Sequence, residues 1–137
     1  MNKNVLSMWQ SVSPAIVIIV SVCLAGMFYW SMPVSEIEKS SPLAWFAMAF
    51  LAGIVAGTIT DRDFSFTGLL VITGFALAII IRIIYDISFV DKTSHNLFPI
   101  EVVMWTIMAA IPAFAGTLIA NRVIRPLAKK LKSSEKE

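Results

Sequence analysis

Long apolar runs alternate with short polar breaks along the chain. Four runs stand out: Pro14 to Trp30, Pro42 to Thr60, Phe66 to Phe89 and Phe98 to Ala120. Each is near the roughly 20 residues that a helix needs to cross a hydrocarbon core. The apolar positions are continuous rather than alternating, so the spacing predicts helices and not the strands of a barrel. The breaks carry matching chemistry. Ser13-Pro14 and Ser41-Pro42 each set a capping hydroxyl before a proline at a first helical position. Asn4 to Gln10, with Leu6, Met8 and Trp9, reads as a short interfacial helix ahead of the first span. Phe28, Tyr29 and Trp30 close that span as an aromatic belt. Pro112, mid-way through the fourth run, removes a backbone donor and predicts a kink.

Composition strengthens this reading. Hydrophobic residues make up 58% of the 137 residues and charged residues 15%. A soluble domain has about 45–50% and about 25%, and one this small has too much surface to hide the excess. The expected fold is all-α: an integral membrane four-helix bundle, up-down-up-down, in one domain covering residues 1–137. The spans are set at about 14–30, 42–60, 66–89 and 98–120, followed by a basic tail at 121–137. The first run shares features with a secretory signal: Lys3, an apolar core and small residues at its end. However, the polar stretch ahead of that core is long, and Met27 to Trp30 stand where a cleavage site would lie. Val22 is too large to precede a lipidated Cys23. A retained first helix is expected.

Charge sets the orientation. With four spans, the two ends and the Asp61–Ser65 loop share one side. That side carries Lys3, Arg62, Arg122, Arg125, Lys129, Lys130, Lys132 and Lys136, against Lys39 and Lys92 on the other. Basic residues stay cytoplasmic, so a plasma (bacterial inner) membrane protein with both termini in the cytoplasm is expected. Orientation alone accounts for the basic tail. Binding of anionic lipid headgroups or an acidic partner is the functional alternative.

Small residues mark the packing faces. The second span offers Ala49, Gly53, Ala56 and Thr60, with Gly57 completing a GxxxG pair. The third offers Thr67, Gly74 and Ala78, and the fourth Ala109, Ala113, Gly116 and Ala120. Membrane helices associate through such close approach, so these faces predict a tight bundle, a self-association surface, or both.

One polar constellation qualifies as a candidate site. Arg82 and Asp86 are four apart and share a helix face with Tyr85 nearby. Glu101 stands in the first turn of the fourth helix, and His95 lies in the loop between, with Asp91, Lys92, Ser94 and Asn96. Ionisable groups in a bilayer are costly and mark sites by default. The functional expectation is a pocket on the outer side where Arg82 holds an anion and Asp86, His95 and Glu101 exchange protons. Each residue also has a structural explanation. Arg82 reaches the headgroups by snorkelling, Arg82 and Asp86 form an intrahelical pair, Glu101 complements a helix dipole, and His95-Asn96 shape the loop and cap the helix. Their clustering is what makes them a site candidate.

One cysteine and one histidine exclude an internal disulfide, a cysteine-based metal centre and a multi-histidine site. No phosphate loop, dinucleotide fingerprint, metalloprotease motif or nucleophile elbow is present. No catalytic role, cofactor or nucleic-acid partner is therefore expected. Two functional classes remain beyond the lipid bilayer itself as partner. One is a small transporter of an ion or anion, working as a homo-oligomer. The other is a non-catalytic accessory or assembly subunit of a larger membrane complex, docking through its small-residue faces.

Overall fold

A computed structural model describes residues 3–32, 42–90 and 98–134, and every regular element among them is a helix. In chain order these are α1 (Lys3–Tyr29), α2 (Pro42–Ile59), α3 (Phe64–Phe89) and α4 (Phe98–Ile119). A π-turn (Ala120–Ile124) then leads into α5 (Arg125–Ser134). Four helical stretches are long and apolar enough to cross a membrane: Val12–Tyr29, Pro42–Ile59, Phe64–Phe89 and Phe98–Leu131. That is the character of a membrane-embedded protein.

The boundaries differ from the sequence expectation in three places. First, α1 does not start at Ser13-Pro14. It begins at Lys3 and passes through Pro14, so the expected interfacial segment and the first span form one helix. A proline inside a helix leaves one carbonyl without its donor, a loss that membrane helices tolerate when their surroundings compensate. Secondly, α3 starts two residues early, at Phe64, because the Asp63 carboxylate accepts the Ser65 amide at 3.1 Å and caps the helix. Thirdly, helical structure continues well past Ala120. Pro126 accounts for the π-turn: it has no N–H to offer the Arg122 carbonyl, and its ring crowds that carbonyl. The Arg125 amide reaches back to the carbonyl of Ala120 instead, one residue further than an α-turn.

The small-residue faces meet each other within the chain. A Cβ built on Gly53 would overlap the carbonyl oxygen of Ala113, and one on Gly116 would overlap that of Phe50. At Gly57 the added atom would run into the Ala120 methyl. These pairs place residues 53 and 57 beside 113 and 117, so α2 and α4 run in the same direction with their backbones nearly touching. Gly74 does the same for α1 and α3: a Cβ there would overlap Ser21 and press on the Ile18 carbonyl. Ala78 is fully buried one turn further on. Tyr29, closing α1, meets Trp45, near the start of α2, so the two parallel pairs run opposite to each other. The helices α2 and α3, joined by the short 60–63 loop, pack less extensively than α2 and α4.

Many large aliphatic side chains cover the outside. Ile19, Met27, Leu51, Ile84, Ile107 and Ile111 are all exposed. The inside holds alanine, glycine, serine and threonine, with Val17, Val71, Ile79 and Ile83 and a group of aromatic rings at one end. At the opposite end the Thr60 and Thr67 hydroxyls bond at 3.0 Å across the α2–α3 connection. Arg125 pairs there with Asp61 at 3.6 Å, which brings the tail and the 60–63 loop to one end of the bundle.

Candidate functional site

The site is built on an aromatic floor. Trp45, one turn into α2, is fully buried, with its ring 4.8 Å from Phe75, 5.5 Å from Trp105 and 5.7 Å from Tyr29. Phe28 closes the group at 5.9 Å. Four helices contribute to this layer. The Trp45 indole N–H donates to the Trp105 carbonyl at 3.1 Å, so a buried polar atom of the floor is satisfied by the backbone of α4. The belt expected at Phe28, Tyr29 and Trp30 is thus only partly a belt. Trp30 is exposed, but Phe28 and Tyr29 face inward. Their position on the α1 face opposite α2 outweighs the preference of aromatic rings for the interface.

The charged groups stand beside this floor. Arg82 Nε donates to Asp86 Oδ2 at 2.6 Å, with Arg82 13% and Asp86 0% exposed at the side chain. The same guanidinium donates through Nη1 to the Trp30 carbonyl at 2.9 Å and through Nη2 to the Met32 carbonyl at 3.2 Å. A helix ends with carbonyls that have no intrahelical donor. Arg82 therefore caps the C-terminus of α1 from α3, using the fork that a guanidinium presents and an ammonium does not. Trp30 strengthens the same junction, donating its indole N–H to the Ala78 carbonyl at 3.1 Å. A small side chain at position 78 lets the indole reach that carbonyl.

Glu101, in the first turn of α4, is half-buried and accepts the Tyr29 hydroxyl at 2.5 Å. Tyr29 also lies within electrostatic reach of Arg82 and Asp86. Its side-chain hydrogen bond joins α1 to the carboxylate of α4. Beside the ion pair, a groove of about 360 Å³ opens between Trp30, Ile81, Arg82 and Tyr85. Tyr85 is itself exposed, and its ring packs against Phe89 at 5.3 Å.

No family model, curated protein or solved structure matches this chain.

Of the four residues expected at the site, Arg82 and Asp86 are in direct contact, while Glu101 is bonded to Tyr29. His95 lies outside the described residues, as do Asp91, Lys92, Ser94 and Asn96. Among the described residues no three His, Cys, Asp or Glu side chains gather as a metal site. Sequence reasoning missed the roles of Tyr29, Trp30, Trp45 and Trp105. Their aromatic character near the ends of apolar runs is the usual mark of a membrane interface, and nothing in the sequence separates an inward ring from an outward one. Residues 29 and 101 are 72 positions apart, and no local spacing signals their bond.

Proposed function

We propose that this chain is a non-catalytic accessory or assembly subunit of a larger membrane complex. It spans a plasma (bacterial inner) membrane four times, up-down-up-down, with both termini in the cytoplasm. The observation that carries this reading is the engagement of Arg82. Its guanidinium binds Asp86 and two carbonyls of its own chain, so this charge in an apolar helix serves to hold helices together. The glycine faces also act within the chain, which moves any partner surface to the exposed aliphatic ridges, such as Ile107 and Ile111 on α4. The orientation rests on the basic residues of the 60–63 loop and the tail, which share one end of the bundle with the Asp61–Arg125 pair.

Transport of an ion or small anion by a homo-oligomer is the second reading. The groove beside Arg82 and Tyr85 favours it, because it opens next to paired charges. Purification of C-terminally tagged protein at native expression level distinguishes the two. A larger membrane protein recovered at fixed stoichiometry supports the accessory role. A pure homo-oligomer that carries anions in liposomes, with flux lost in Glu101→Gln, replaces it with transport.

A further inference from the structure

Helix α5 is amphipathic, and its two faces are chemically opposed. Leu127 and Leu131 are one turn apart on one side and are 55% and 70% exposed. Arg125 and Lys129 are one turn apart on the other side, with Lys130 at the flank. From Asn121 to Ser134 the sequence holds no acidic residue, while Arg122, Arg125, Lys129, Lys130 and Lys132 are basic. The helix also begins close to the membrane end of the bundle. Ala120, five residues before it, is buried against Gly57, and Arg125 is tethered to Asp61 of the 60–63 loop.

Length makes the position of α5 informative. Residues 98–134 are helical with a single π-turn, and a helix rises about 1.5 Å per residue. At that rise the segment is far longer than a hydrocarbon core of about 30 Å. If it ran straight on from α4, Leu127 and Leu131 would stand in water beside no other element. The π-turn offers a break at the level where the bundle ends, and breaks of this kind are where membrane and soluble helices change direction.

We propose that α5 is an interfacial helix that lies on the anionic lipid surface of the same membrane. Leu127 and Leu131 enter the acyl boundary, Lys130 at the flank meets the headgroup phosphates, and Arg125 and Lys129 on the far side add to the attraction of the anionic surface. The occupant is lipid rather than protein because both faces are then matched at once. Apolar side chains backed and flanked by cations fit the boundary between hydrocarbon and anionic phosphate, and α5 begins at the end of the bundle, beside the 60–63 loop. This proposal is independent of whether the bundle serves a larger complex or a transport path.

The test uses the full chain with Cys23→Ser and Ala128→Cys, labelled with an environment-sensitive fluorophore, in lipid nanodiscs that hold one copy each. Phosphatidylcholine discs are compared with discs that also contain phosphatidylglycerol. The expected result is a blue-shifted emission in the anionic discs, reversed by high salt. It is lost in Lys129→Glu/Lys130→Glu, and also in Leu127→Ser/Leu131→Ser, which keeps every charge. Emission as in water in both kinds of disc overturns the proposal and leaves a water-exposed helix available to a soluble acidic protein. A shift that appears only in discs holding two copies also overturns it, in favour of α5 pairing with itself.

Discussion

Arg82 bonds to a carboxylate and two carbonyls on three different residues, and each acceptor is one that its own helix or turn leaves in need of a donor. Removing one partner of a buried pair leaves the other charge uncompensated, which costs about 3–5 kcal/mol. Arg82→Gln is therefore expected to destabilise the protein in detergent by about 3 kcal/mol or more, read from its unfolding midpoint. Arg82→Lys is expected to recover only part of the loss, because one ammonium cannot serve three fixed acceptors. Full stability in Arg82→Gln would show that the junction is dispensable. Tyr29→Phe keeps the ring in the aromatic floor and deletes only the donor to Glu101. It is expected to cost about 1–2 kcal/mol, with little further loss when Glu101→Gln is added. Independent, additive effects of the two changes would mean that the bond is not formed. At this scale the sequence revealed Arg82, Asp86 and Glu101 as unusual, because charge in an apolar run is conspicuous. It did not reveal Tyr29, because a tyrosine near a span end is ordinary.

Helix pairs follow from the smallest residues. A Leu at Gly53 or Gly116 meets backbone, which cannot swing aside as a side chain does. Overpacking of this sort costs typically about 1–3 kcal/mol and more where nothing yields. Gly53→Leu and Gly116→Leu are expected to abolish the folded bundle, seen as loss of the monodisperse species on gel filtration. Gly26→Ala meets first the ring of Trp30, just past the end of α1, at 3.0 Å, and is expected to cost far less than either change at a backbone contact. If Gly53→Leu folds normally, α2 and α4 are not in contact at that level. The π-turn gives a second expectation for this scale. Pro126→Ala restores the missing donor, so the segment should revert to α pairing, with protection of the amide gained at position 126 and slowed hydrogen exchange at its neighbours. The i, i+4 spacing of Gly53 and Gly57 was legible because a helix repeats every 3.6 residues. Which helix would face them was not, since Ala113 and Gly116 resemble Gly74 and Ala78 as partners. The effect of Pro126 is not legible in the pattern of apolar positions, because it lies beyond the apolar run, in a stretch dominated by charge.

For the molecule as a whole, four helices long and apolar enough to cross a membrane are present, and their orientation is a matter of where lysine and arginine fall. A periplasmic-only reporter fused after Glu137 is expected to be inactive, and a cytoplasmic one active. The opposite result would place the tail outside and invalidate α5 as a reader of the cytoplasmic leaflet. The exposed Asp61–Arg125 pair is expected to matter little to stability: Asp61 is 82% exposed, and such pairs are worth about 0–1 kcal/mol. Its value is as a marker that the 60–63 loop and the tail lie at one end.

The number and approximate extent of the apolar helices were determined by the sequence alone. The bilayer imposes one length and one polarity on every spanning helix, and both are local properties of the chain. The presence of a charged cluster and of small-residue faces was determined in the same way, by residues out of keeping with their surroundings. Only the tertiary structure decided that the glycine faces close α2 on α4 and α1 on α3, that Arg82 binds the carbonyls at the end of α1, and that Tyr29 of α1 donates to Glu101 of α4. Those contacts depend on which surfaces meet. Many helix faces in an apolar chain are nearly equivalent in composition, and the choice among them is made by shape and by the few polar atoms that must each find a partner.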